Sequence, residues 1–127
     1  MAFADIRASG LPSPHGAAKL EISPVDLVQL SRQTTGDRAL EKELLGVFDV
    51  QAAQISEKLK TAEAGAASAE LAHKLKGSAR AVGANEVAAA AENYEYAARA
   101  GFLRHSDVNR LVATVAKTRA FLRGLAD

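Results

Sequence analysis

One histidine lies in a sequence setting that could support chemistry. His73 is the second residue of the segment AHKLKGSARAVGA, residues 72–84. With about 100° of rotation per residue in a helix, His73 falls opposite the apolar side of this segment. That apolar side consists of Leu71, Leu75, Ala79 and Val82. We therefore predict that the imidazole points at solvent, where a neutral ring nitrogen is a competent nucleophile near pH 7.

The neighbours of His73 favour phosphoryl chemistry. Lys76 and Arg80 place positive charge beside the ring, which opposes protonation of the imidazole and attracts a phosphoryl group. Gly77, one turn further on, costs up to about 1 kcal/mol of helix stability relative to alanine, but it removes side-chain bulk so that another protein can approach the ring. An exposed histidine on a helix is most often an ordinary surface residue, and this pattern alone leaves that alternative open.

A partner protein is expected to dock on the surface around His73. The candidate contacts on the same helix are Ala69, Lys74, Gly77 and Arg80. The first helix is expected to add an apolar contribution, through Val25, Leu27 and Leu30. We expect Tyr94 to lie in the core and Tyr96 at the rim of the docking surface.

Helices must position these residues, because no segment shows the alternating pattern of a strand. The chain has 127 residues, 48% of them hydrophobic, with many alanines and no Trp, a composition typical of close-packed helices. Periodicity and capping signals predict five helices. The first runs from Ser23-Pro24 to about Gln33, and the second from just after Asp37 to about Ala62. The third runs from about Ser68 to Val82, the fourth from about Asn85 to Ala100, before Gly101, and the fifth begins at Ser106-Asp107.

The predicted architecture is all-α: an up-down-up-down four-helix bundle with a short extra N-terminal helix. The bundle domain is assigned to residues 21–127, and residues 1–20 are predicted to be a flexible leader because they contain Pro and Gly without periodicity. In the second helix the predicted apolar face consists of Leu40, Leu44, Val47, Phe48, Ile55 and Leu59.

Composition excludes several classes of function. A net charge of +1 argues against binding nucleic acid through a strong basic field. No apolar run approaches 18 residues, so no membrane partner is expected, and the N-terminus lacks the pattern of a secretory signal. There is no cysteine, which removes disulfides and thiolate catalysis. We expect a soluble, cytoplasmic and monomeric protein without cofactor.

The segment AHKLKGSARAVGA closely resembles the signature of histidine-containing phosphotransfer (HPt) domains, A-H-x-L-K-G-S/A-A-x-x-apolar-G-A. The likeness takes in the histidine, the apolar residue at +2, Lys at +3, Gly at +4 and the Gly-Ala that ends the helix. The surrounding layout is also similar, with a long helix containing LLGVFDVQ before the segment and an alanine-rich helix after it. The resemblance covers about residues 23–125.

The resemblance implies a set of roles. His73 would be the phosphoacceptor through Nε2, Lys76 would stabilise the phosphoryl group, and Gly77 would admit the receiver domain of a response regulator. In the family a polar residue 22 positions after the histidine lies close to the ring. Here it is Glu95, whose carboxylate would accept a hydrogen bond from Nδ1, with Glu92 as a weaker second candidate.

The resemblance also implies the partners, which are response-regulator receiver domains and a hybrid sensor histidine kinase. The sequence has no glycine-rich nucleotide loop and no ATP-binding domain, so the protein would be a phosphocarrier in a two-component phosphorelay without kinase activity of its own. The receiver's aspartate and Mg²⁺ would supply most of the chemistry.

Three other functions remain to be weighed. The first is a non-catalytic helical adaptor in which His73 is incidental; such a protein usually exposes a large apolar stripe, which the sequence does not suggest. The second is a metal site, but the three histidines, His15, His73 and His105, are scattered and no Glu-x-x-His pair occurs. The third is a hydrolase, for which no nucleophile, base and acid are found together. No metal ligand is predicted.

Overall fold

A computed structural model describes residues 23–126 of the chain, which form five helices. They are α1 (Leu27–Thr34), α2 (Arg38–Lys60), α3 (Ala66–Val82), α4 (Asn85–Ala100) and α5 (His105–Ala126). No strand occurs between residues 23 and 126, so the predicted all-α class is confirmed. The flexible leader predicted for residues 1–20 lies outside the described residues.

The start of α1 differs from the prediction. Ser23 was expected to be the N-cap and Pro24 the first helical residue, but the N-cap is Asp26, whose carboxylate accepts a hydrogen bond from the backbone N–H of Gln29 at 3.0 Å. Residues 23–26 instead reach the end of α3, where the backbone N–H of Asp26 donates to the carbonyl oxygen of Gly83 at 2.8 Å. This tertiary hydrogen bond outweighs the local Ser-Pro signal.

At Gly83 the backbone at the end of α3 lies close to the N-cap of α1. The φ of Gly83 is +80°, which ends α3 in the left-handed conformation, and a Cβ added there would lie 2.8 Å from the carbonyl oxygen of Asp26. Only glycine combines this φ with such a close backbone approach. The glycine at the end of the histidine helix is therefore required by packing.

The remaining helix ends follow the sequence signals closely. Asp37 caps α2 by accepting from the backbone N–H of Leu40 at 3.0 Å, and the predicted range of α4, ended by Gly101, is confirmed. At α5 the helix begins one residue before the predicted cap. The Asp107 carboxylate turns back to accept from the backbone N–H of Arg104 at 3.0 Å, as the acidic half of a capping box does.

The four long helices form a ring of neighbours. α2 packs against α3 and α5, and α4 packs against the same two helices, while α1 lies on α2 and α3. The helices therefore form a bundle, and their alternating up-and-down direction stays a prediction. The contact between α3 and α4 is the most extensive, because both helices bury many alanines, which lets their backbones approach closely. The buried alanines of α3 and α4 are Ala69, Ala72, Ala79, Ala88, Ala90, Ala91, Ala97 and Ala98.

The core contains Tyr94, as predicted, whose hydroxyl donates to the carbonyl oxygen of Leu59 at 2.9 Å. The apolar face of α2 is only half buried. Phe48, Ile55 and Leu59 are in the core, but Leu40, Leu44 and Val47 are exposed. No helix within residues 23–126 combines the length and the apolar character needed to cross a bilayer.

Candidate functional site

His73 lies in the middle of α3 and its side chain is 58% exposed. The prediction that the imidazole points at solvent is confirmed. Leu75, Ala79 and Val82, on the opposite side of the helix, are buried, so the apolar face of α3 fixes the direction in which the histidine projects.

Glu95 of α4 contacts the ring of His73. The Nδ1 atom of His73 lies 3.1 Å from one carboxylate oxygen of Glu95, Oε2, and 3.3 Å from the other, Oε1. An ionised carboxylate can only accept a hydrogen bond, so this contact requires the proton on Nδ1. In the neutral ring the lone pair is then on Nε2, the nitrogen that does not face Glu95. The pairing predicted from the 22-residue spacing is present.

Lys76 does not extend freely into solvent beside the ring. Its Nζ atom lies 2.9 Å from Oε1 of Glu95, and the two side chains are only 13% and 12% exposed. A salt bridge this well covered holds both side chains in place more firmly than a pair on the open surface. Lys76 therefore holds the carboxylate of Glu95 in place.

Arg99, which the sequence analysis missed, is a second cation on the same carboxylate. Its Nε and Nη2 atoms lie 3.3 Å and 3.2 Å from Oε2 of Glu95, and Nη2 is also 3.5 Å from Glu70 of α3. The only sequence signal was the four-residue spacing from Glu95, which places the two side chains on one face of a helix.

The surroundings of Glu95 keep its carboxyl ionised. Its partial burial would by itself raise the pKa, but hydrogen bonds from Lys76 and Arg99, with the charges of Lys76 and His73, lower the pKa of Glu95 below its ordinary value of 4.5. At neutral pH the group therefore remains an acceptor for Nδ1–H.

The predicted contacts on α3 divide into two groups. Lys74 and Gly77 are exposed, and a Cβ added at Gly77 would meet nothing within 4 Å. Arg80 is exposed but lies two turns, about 10 Å, from His73, and its guanidinium is 3.6 Å from Glu92. Glu92 was the second candidate for contacting His73, and it is paired with Arg80 instead.

Three of the residues predicted for docking are buried and are not available at the surface. Ala69 is 0% exposed, since the close approach of α3 to its neighbours covers its short side chain. Val25 and Leu30 are each 1% exposed and belong to the core. On α1 only Leu27, which was predicted, and Val28, which was not, present apolar surface.

No group of three or more His, Cys, Asp or Glu residues that could hold a metal ion occurs in the part of the chain that the structure describes. Tyr96 is 70% exposed and its ring packs edge to face on that of Phe102, with centroids 6.3 Å apart. The outward position predicted for Tyr96 is confirmed, whereas a contact with a partner stays a prediction.

Comparison of the sequence with protein-family models matches residues 26–122 to the Hpt domain. The matched range includes α1 to α4 and most of α5, and with them His73, Lys76 and Glu95. Comparisons with curated proteins and with solved structures found no match.

Proposed function

Since the chain belongs to the Hpt domain family, whose domains carry out histidine phosphotransfer in two-component systems, we propose that His73 accepts the phosphoryl group and passes it on. The observation that supports this assignment best is the contact between Nδ1 and Glu95 at 3.1 Å on an imidazole that is otherwise exposed. That contact holds one ring nitrogen and frees the other for attack.

The proposed donor is the aspartyl phosphate of a receiver domain. The lone pair of Nε2 of His73 attacks phosphorus, an N–P bond forms, and the P–O bond to the aspartate breaks as its carboxylate leaves with the electron pair. Nδ1 keeps its proton throughout, so the ring becomes cationic. Glu95, 3.1 Å away, stabilises this charge, and the reverse steps return the phosphoryl group to an aspartate. Catalysis of this kind depends on positioning and electrostatics.

Lys76 has two proposed roles. In the free protein its ammonium holds Oε1 of Glu95 at 2.9 Å. An ammonium carries three donors, so Lys76 can keep this contact while another N–H pairs with an oxygen of the phosphoryl group on His73. Lys76 then orients the ring through Glu95 and also stabilises the phosphorylated form of His73.

Receiver domains and kinases are the partners of Hpt domains, and we propose that they dock beside His73 on α3. Lys74 and Gly77 form the part of this surface nearest the ring, with Arg80 at its far end. Leu27 and Val28 of α1, 44% and 62% exposed, add apolar area. Leu27 was among the predicted docking residues, and Val28 takes the place of the buried Val25 and Leu30.

An apolar stripe on α2 supports this placement. Leu40, Leu44 and Val47 follow one another at four and three residues and are 38%, 36% and 62% exposed. Asp49, whose carboxylate pairs with Arg119 of α5 at 2.8 Å, marks the α5 side of α2. At 100° per residue, Leu40, Leu44 and Val47 lie on the side of α2 opposite Asp49, which is the side nearer α3. Exposed apolar residues grouped in this way are typical of interaction sites.

Incubation with a phosphorylated receiver domain tests the proposal. We expect a phosphoryl group on the chain that is stable in base and labile in acid, and that is absent from His73→Gln. His105→Gln is the matched control, because His105 is also exposed and lies at the start of α5, and it should accept phosphate like the wild type.

The opposite outcome is equally specific. If His73→Gln is phosphorylated to the wild-type level, or still supports signalling through its partners, the phosphocarrier assignment fails. Phosphorylation of His73→Gln would mean that another residue carries the phosphoryl group, whereas signalling without phosphorylation would mean that the protein is an adaptor bundle in which His73 is incidental.

A further inference from the structure

The Glu95 carboxylate is held at both oxygens by two different helices. Lys76 of α3 contacts Oε1 at 2.9 Å, while Arg99 of α4 contacts Oε2 through two nitrogen atoms at 3.2 and 3.3 Å. Oε2 is also the oxygen nearest Nδ1 of His73. The oxygen that orients the imidazole is therefore the one that Arg99 fixes.

Arg99 is itself anchored. Its Nη2 atom lies 3.5 Å from Glu70 of α3, and its side chain is 46% exposed against 12% for Glu95. Glu70, whose side chain is 71% exposed, thus pairs with the guanidinium across the α3–α4 contact. A glutamate with three rotatable side-chain bonds that is held only by Lys76 could turn about that one contact, whereas contacts at both oxygens leave it one orientation.

We propose that Arg99 is a positioning residue for phosphotransfer, which acts by holding Oε2 of Glu95 against Nδ1 of His73. This inference rests on the proposed function of His73 and adds a residue to it. Arg99 does not touch the reacting atoms in this account. It acts through Glu95, and its whole effect must disappear when Glu95 is absent.

A second consequence concerns the charge of the site. Burial raises the pKa of Glu95, but hydrogen bonds from Lys76 and Arg99, with the charges of Lys76 and His73, lower it below the ordinary value. Glu70 and Glu92 are the acidic groups near this network, paired with Arg99 and Arg80. Replacing Arg99 removes one of the hydrogen bonds that lower the pKa of Glu95, so this pKa should rise.

A double-mutant cycle tests the proposal. Transfer from a phosphorylated receiver domain is measured by rapid quench for the wild type, Arg99→Met, Glu95→Ala and the double variant. We expect Arg99→Met to lower kcat roughly tenfold, as removal of outer partners of a site does, with KM within about twofold of the wild type. In the Glu95→Ala background, Arg99→Met should change kcat by less than about twofold.

Two further variants control for simple loss of charge. Arg99→Lys keeps a cation but loses the two-nitrogen contact, and it should restore part of the lost rate. Arg110→Met removes an exposed arginine from α5, a helix that does not pack on α3, and it should leave transfer unchanged. A kcat for Arg99→Met equal to that of the wild type would overturn the proposal. A tenfold loss that persists without Glu95 would also overturn it, because Arg99 would then act directly on the phosphoryl group or the partner.

Titration of the Glu95 carboxyl by ¹³C NMR separates this proposal from the proposed function. If the wild type accepts no phosphate, the proposed function of His73 fails, but the contact of Arg99 with Glu95 is still tested by the pKa of Glu95. A pKa of Glu95 that rises in Arg99→Met and does not change in Arg110→Met supports the role of Arg99. An unchanged pKa in Arg99→Met contradicts it.

Discussion

Glu95 and Asp107 are two carboxylates that lie between neighbouring pairs of helices. They are alike in burial and in the direction of their pKa shift, but their partners differ. Both side chains are largely buried, at 12% and 5% exposure, and both have a pKa below the ordinary value. Glu95 lies between α3 and α4, whereas Asp107 lies in the first turn of α5 and contacts α4 through Asn93. A lowered pKa alone therefore does not identify the functional group.

Asp107 is bound by groups that hold the fold together. The backbone N–H of Arg104 donates to it at 3.0 Å and the Asn93 amide at 2.9 Å, and these hydrogen bonds lower the pKa of Asp107 despite its burial. Asp107 therefore caps the N-terminus of α5 and connects this helix to α4 through the hydrogen bond from Asn93. The exposed guanidinium of Arg104 also lies 3.4 Å from the carboxylate, but a charged guanidinium has no free lone pair for nucleophilic attack.

Glu95 is bound by three ionisable side chains, and one of them, the exposed imidazole of His73, can act as a nucleophile. Lys76 and Arg99 hold the carboxylate, and His73 presents its other ring nitrogen to solvent. The partners, and not the pKa, therefore distinguish a structural carboxylate from the one that we propose orients His73. Substitutions at Glu95, Asp107 and Gly77 test that difference.

The largest effect is expected at Glu95. Glu95→Ala removes the acceptor for Nδ1–H, so the ring is no longer oriented, and transfer should slow by roughly 10- to 100-fold. Glu95→Gln keeps an oxygen that can accept this hydrogen bond and should lose less. Rapid-quench measurement of phosphate transfer from a receiver domain compares the two variants, and equal rates for Glu95→Ala and the wild type would remove Glu95 from the site.

The converse variant is Asp107→Ala. It leaves the partly buried backbone N–H of Arg104 and the Asn93 amide without their acceptor, which should lower the free energy of unfolding by about 1–3 kcal/mol. Transfer should stay within about twofold of the wild type, since Asp107 has no contact with His73. Urea denaturation together with the transfer assay measures both quantities. A large loss of transfer in a folded Asp107→Ala protein would erase the distinction between the two carboxylates.

The stabilisation by Asp107 should depend on pH. Its pKa is lower in the folded protein than the ordinary value of 3.8, so the contribution is fully present well above 3.8 and is lost as pH falls through the folded pKa. The difference in unfolding free energy between wild type and Asp107→Ala should therefore narrow below about pH 4. A difference that stays constant from pH 7 to pH 3 would show that ionisation of Asp107 contributes nothing.

Gly77 gives the smallest effect and tests the docking surface. Gly77→Ala should stabilise α3 by roughly 0.5–1 kcal/mol, because an added Cβ meets nothing within 4 Å. The methyl group would stand in the path of a partner and should raise the KM for a phosphorylated receiver domain. Gly46→Ala is the matched control, since Gly46 is also helical, exposed and free of contacts. If both variants gain stability and neither changes KM, Gly77 has no part in docking.

The sequence predicted the helices and the central pair of the site well, because both depend on local regularities. Helical periodicity found all five helices and placed His73 at the surface, and the family resemblance supplied the 22-residue spacing to Glu95. The start of α1 was missed because it depends on a backbone hydrogen bond between Asp26 and Gly83, which are 57 residues apart. Such a contact leaves no periodic signal.

The rest of the site depends on how the helices are rotated and spaced. Ala69 shares a stripe with His73 on a helical wheel but is buried, since a wheel does not show how closely alanine-rich helices approach. For the same reason the sequence did not reveal that Lys76 and Arg99 converge on one carboxylate. Exposure of Leu40, Leu44 and Val47 was also missed, because an apolar stripe does not show whether it is covered.

The central claim is that the phosphoryl group is carried on Nε2 of His73 while Glu95 holds Nδ1. NMR of ¹⁵N-histidine-labelled protein after transfer from a phosphorylated receiver domain tests it directly, through the ¹⁵N–³¹P coupling and the ring nitrogen shifts. We predict one phosphorylated histidine, His73, with phosphorus bonded to Nε2 and the proton on Nδ1. Phosphorus on Nδ1, or on any other residue, would contradict the account.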